Sequence, residues 1–88
     1  MKKAFIIHNN PDVETVINSK QLADIEINFI DEGTLKGKKE ARTIKGKFAA
    51  RLTPFIGILD EDKLIKGFYS EASKDVINDF INWYETIS

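Results

Sequence analysis

The stretch that most constrains the fold is residues 51–71, RLTPFIGILDEDKLIKGFYSE. Two short runs of β-branched, aliphatic and aromatic residues, Phe55 to Leu59 and Leu64 to Tyr69, flank the acidic turn Asp60-Glu61-Asp62-Lys63. That pattern reads as a β-hairpin. Thr53-Pro54 leads into it, and proline, with no N–H to give to a ladder, belongs at the start of a strand. An X-Pro bond in such a place is also a candidate for the cis isomer.

Lys3 to His8, KAFIIH, is a continuous apolar run, the mark of a strand covered on both faces and central in its sheet. Asn10-Pro11-Asp12 then predicts a helix start, with Asn10 as cap, proline at the first helical position, and Asp12 and Glu14 near the positive end. Val13, Val16 and Ile17 form its apolar stripe as far as about Lys20. From Ile25 to Ile30, Ile25, Ile27 and Phe29 alternate with Glu26 and Asn28, so this strand has a wetter face and lies nearer an edge. Asp31 to Thr34 is a turn, with Thr34 capping a second helix from about Lys36 to Phe48. Leu35, Ala41, Ile44, Phe48, Ala49 and Leu52 carry its spacing. Gly37 and Gly46 each weaken it by about 1 kcal/mol relative to alanine, and an irregular end is expected near Gly46. Beyond the hairpin, Ser70 to Ser73 supplies a cap region, and Val76, Ile77, Phe80, Ile81, Tyr84 and Ile87 mark an amphipathic helix with Trp83 at its rim. The expected order is βαβαββα over residues 1–88: one α/β domain with a mixed four-stranded sheet and helices on both faces.

Composition narrows the functional classes. Without cysteine there is no disulfide, no thiolate nucleophile and no thiolate metal site, and a single histidine leaves little for a transition metal. No run approaches the ~20 apolar residues of a membrane span, and MKKAFIIHNN turns polar too early for a signal peptide, so a cytoplasmic location is expected. The net charge of -1 hides an asymmetry: Thr34 to Leu59 holds seven bases against Glu40 alone, between two acidic flanks. On a helix, Lys38, Arg42 and Lys45 share one face, so their fields add toward a phosphate or an acidic partner.

The element order, with Thr53-Pro54 opening the hairpin and Gly67 to Glu71 leading into the last helix, resembles the thioredoxin and glutaredoxin family over nearly the whole chain. The resemblance implies a thioredoxin-like fold with a cis-proline at Pro54. Its C-x-x-C motif would fall at Asn10-Pro11-Asp12-Val13, where Asn10 stands for the nucleophilic cysteine and Val13 for the resolving one. An amide offers no thiolate, so thiol–disulfide exchange is outside this chain's reach. The resemblance further implies that Asn9, Asn10, Thr53 and Pro54 converge at one end of the sheet, where the backbone beside the proline pairs with a peptide or glutathione. Ser70 and Glu71 correspond loosely to positions that receive the charged end of glutathione, although Glu71 would repel a carboxylate and capping explains both.

Two readings of function come first. One is a redox-inactive binding module, with no cofactor and no metal, that takes a peptide or an acidic protein through Asn9, Asn10, Thr53 and Pro54 and the basic patch Lys38, Arg42 and Lys45. The other is a glutathione-binding or glutathione-transferase-type enzyme, with His8 or an asparagine amide beside a substrate thiolate. A third, a small accessory protein of the kind phages and mobile elements encode, contacting nucleic acid, ranks lower because the chain is acidic overall.

Overall fold

A strand that is apolar on both sides has to be covered twice. In the computed structural model, which describes residues 1–70 and 73–87, β1 (Lys2–His8) lies inside a four-stranded sheet. Its neighbours are β2 (Ile25–Asp31), parallel to it, and β3 (Phe55–Asp60), antiparallel. β4 (Lys63–Tyr69) hairpins back along β3 to give the order β2-β1-β3-β4. Central β1 and edge β2 stand where their sequence patterns put them.

The hairpin turns on Glu61 and Asp62, both left-handed with φ of 48° and 68°. Two positive φ values are what a tight turn needs to match the twist of its strands. Neither residue is glycine or asparagine, so the sequence signal for this turn is weak.

Three helices complete the layers: α1 (Asp12–Ser19), α2 (Leu35–Phe48) and α3 (Ser73–Ile87). α1 and α3 cover one face, where Ala4, Ile6, Ile56, Ile58 and Phe68 meet Val13, Ile17, Val76, Ile77 and Phe80. α2 covers the other, where Ile7, Ile30 and Phe55 meet Ala41 and Ile44. Burying a side chain the size of Phe80 or Ile6 stabilises by roughly 1.5–3 kcal/mol. The Tyr84 hydroxyl accepts from the Ala23 N–H at 2.8 Å and donates to the Ala23 carbonyl at 2.7 Å, tying α3 to the α1–β2 loop. Among the described residues no helix is long and apolar enough to cross a membrane.

Several helix details differ from expectation. α1 starts one residue later: Pro11 is its cap residue, and the Asn10 side chain instead accepts from the Asp12 N–H at 3.0 Å. Val16 is exposed, because with Val13 and Ile17 buried at i and i+4 it falls outside their narrow stripe. α2 is capped by Thr34, as expected, whose hydroxyl accepts from the Gly37 N–H at 2.9 Å. It runs regularly through Gly46 to Phe48, closed by Ala49 in the left-handed region rather than by an irregular end. Leu35 is exposed, and Gly37, Ala41 and Ile44 form the inner face.

Gly37 is therefore a packing residue. A Cβ there would lie 1.7 Å from the Asp31 carbonyl oxygen, so the helix lies against the end of β2 only because that side chain is missing. Near its other end, Phe48 rests on Gly57 of β3, where a Cβ would come within 2.6 Å of the ring. α2 thus crosses the sheet obliquely, from the end of β2 to the middle of β3.

The two helical glycines should respond oppositely to alanine. Gly37→Ala is expected to destabilise by about 1–3 kcal/mol through overpacking. Gly46→Ala, which meets nothing within 4 Å, is expected to stabilise by about 0.5–1 kcal/mol through helix propensity. Urea unfolding midpoints measure both, and shifts of the same sign would contradict the packing role of Gly37.

Candidate functional site

The ends of β1 and β2 and the beginning of β3 meet at one end of the sheet. His8 pairs with Asp31 and Ile7 with Phe55, so Thr53 and Pro54 come in beside the end of β1. The Thr53–Pro54 peptide bond is cis. Pro54 is buried and Thr53 half-buried, whereas Asn9, Asn10 and Pro11 are exposed.

Thr53 is held by an ionic cluster that local sequence patterns do not reveal. The Lys45 ammonium donates to both carboxylate oxygens of Glu32, at 3.1 and 3.3 Å, and to the Thr53 hydroxyl. That hydroxyl donates in turn to Glu32. Lys45 and Glu32 keep only 14% and 22% of their side-chain surface in solvent, so screening of the pair is incomplete. The cluster joins three elements: the turn after β2, the last turns of α2 and the segment entering β3.

The cluster divides the basic patch. Lys45 is occupied internally, while Lys38 and Arg42 are exposed and have no acidic partner among the described residues. They surround a shallow depression of about 720 Å³, whose other walls include Asn9, Gly33 and Arg51. Asn9 and the basic helix therefore share one surface. Arg51, which belongs to the basic run but not to the helical stripe, also lines it and likewise has no acidic partner among the described residues. Asn10 and Pro54 do not line this depression, and the Thr53 side chain is turned into the ionic cluster.

His8 is placed differently from what a thiolate-binding role would need. Its ring is 1% exposed, and Nε2–H donates to the Glu14 carboxylate at 2.7 Å. Nδ1 is buried with no hydrogen-bond partner. Strand alternation puts His8 on the α1 side of the sheet with Ala4 and Ile6, away from the depression under α2. The His8–Glu14 pair joins a strand end to a helix start across six positions, a contact that no local pattern signals. Ser70 ends the described segment before the last helix, and Glu71 lies outside the described residues. Among the described residues no group of three His, Asp or Glu side chains could hold a metal ion.

No protein-family model matches the chain, and no curated protein matches it by sequence. Among solved structures it is similar to thioredoxin O2 from Arabidopsis thaliana in its oxidised state, with a TM-score of 0.61 at 9% identity over 96% of this chain and 76% of that one. The fold is thioredoxin-like. At the β1–α1 junction of this fold, where the family resemblance places its two cysteines, stand Asn10, exposed, and Val13, packed into the core.

Removing the carboxylate from the ionic cluster leaves a largely buried ammonium without its counter-charge. Glu32→Ala is expected to destabilise the protein by about 1–3 kcal/mol, and Lys45→Met added to it should recover most of the loss. Chemical unfolding of the single and double variants measures the coupling, and additive effects would show that the contact contributes little.

Proposed function

We propose that this chain is a non-catalytic binding module on a thioredoxin-like scaffold, and that its ligand is an acidic segment of another protein. The observation that carries this reading is the set of three cations without an acidic partner among the described residues, Lys38, Arg42 and Arg51, around a depression that also reaches Asn9. A concave surface lined by one sign of charge concentrates counter-charged ligands and speeds their arrival. Asn9 adds an amide that both donates and accepts hydrogen bonds, suited to the backbone of an extended peptide. With no thiol in the chain, binding proceeds without covalent exchange. Thr53 serves this surface by holding Lys45 and Glu32 in place.

The test is an NMR titration of isotope-labelled protein with three probes: a glutamate-rich decapeptide, reduced glutathione and a short duplex DNA. The peptide is expected to shift the amides of Asn9, Lys38, Arg42 and Arg51. Its affinity should fall at least about tenfold in Lys38→Glu/Arg42→Glu, and also as salt is raised and the Debye length shrinks. Shifts from the peptide that leave these residues untouched, or that survive charge reversal, would overturn the reading. Glutathione shifts confined to Asn9, Asn10, Thr53 and Phe55 would instead favour a small thiol ligand. Tighter binding of DNA with a steep salt dependence would favour nucleic acid.

A further inference from the structure

A second concavity adjoins the basic one. It lies between the end of α2 and the outer hairpin strand, is lined by Phe48, Leu52, Phe55 and Tyr69, and measures about 420 Å³. Ala50 and Arg51 belong to the walls of both hollows, so the two lie side by side.

Two glycines let aromatic rings settle on this part of the sheet. Gly57 and Gly67 are direct partners across β3 and β4, which leaves a strip of sheet without side chains. Phe48 fills the half above Gly57, its ring edge-to-face with Phe55 at 5.3 Å between centroids. Above Gly67, a Cβ would lie 3.1 Å from the Phe55 ring and 3.6 Å from Phe48, so the two rings cover this half as well and with Gly67 line the groove. Leu52 and Tyr69 flank it, 45% and 66% exposed, and add apolar surface at its rim. Cavities of about 150 Å³ already accept a benzene ring, so the space suffices for one aromatic or branched aliphatic side chain.

We infer that this groove seats a bulky apolar side chain of the same acidic segment that the depression binds, so that the ligand is an extended peptide with acidic residues next to a phenylalanine- or leucine-like one. The inference rests on the acidic-ligand reading above. Charge supports that occupant: Arg51 stands on the shared wall, among the described residues no acidic side chain lines the groove, and Glu32, the carboxylate they bring to the depression, is committed to Lys45 and Thr53. A second copy of this chain offering the same surface would set Arg51 against Arg51 and is disfavoured by like charge.

Fluorescence anisotropy with two labelled decapeptides tests this, one of alternating glutamate and serine with a central phenylalanine, the other with serine at that position. The phenylalanine peptide is expected to bind about tenfold or more tightly than its serine twin, the gain for burying one such side chain. In Leu52→Asn/Tyr69→Ser, which alters exposed positions, the gain should vanish while the serine peptide binds as before, the latter also showing that the variant is folded. Equal binding of the two peptides, or a gain that survives in the variant, would overturn the groove's role and leave the acidic-ligand reading standing. Failure of both peptides to bind the unaltered protein would overturn that reading, and this inference with it.

Discussion

The two-sided apolar character of β1 is the constraint on which the rest of the molecule depends. Ala4 and Ile6 project to one side and Ile7 to the other, so neither side can be left to water. Parallel pairing with β2 requires a crossover, and α1 supplies it together with cover for the first side. The second side falls to α2, which must come down close to the sheet. Gly37 and Gly57 permit that approach by withholding side chains at the two points of contact. The oblique course of α2 then determines which of its residues face the core, which face the sheet's end and which face solvent.

That course explains why three cations on one helical stripe take two different roles. Lys45 points back toward the turn after β2 and becomes structural, its charge balanced by Glu32 and its position fixed by Thr53. Lys38 and Arg42 lie farther out and keep their charge for solvent or a ligand. The ionic cluster ties Thr53, in the segment that follows α2, to the helix, and Arg51 of that segment lines both hollows. A charge held at low exposure by a carboxylate and a hydroxyl contributes to positioning, whereas an unpaired one contributes to recognition.

Much of the fold was legible in the chain. The buried run of Lys3 to His8, the alternation after Ile25, the hairpin and the stripe of the last helix each obey a period that depends on one element alone. The glycines of α2 were legible only as a weakness, since propensity prices a residue in isolation and cannot see the Asp31 carbonyl that Gly37 accommodates. Of the candidate site, Asn9 and the basic stripe stand out in the sequence as residues, but their meeting around one depression depends on the crossing of α2. The pairings Glu32–Lys45 and His8–Glu14 join separate elements and leave no local trace. The groove over Gly67 was invisible for the same reason, because its walls come from three parts of the chain.

The outermost strand carries one further consequence. β4 is exposed along most of its length and bears Leu64 and Ile65 between Lys63 and Lys66. An uncovered strand edge with adjacent aliphatic residues is the usual template on which identical chains stack. Lysines at both ends of that aliphatic pair charge the strand, and the break in register between Ile58 and Leu59 disturbs its regularity. Symmetric stacking of two such edges would crowd ammonium groups together along an irregular seam, so the strand resists becoming a nucleus for fibrils of its own kind.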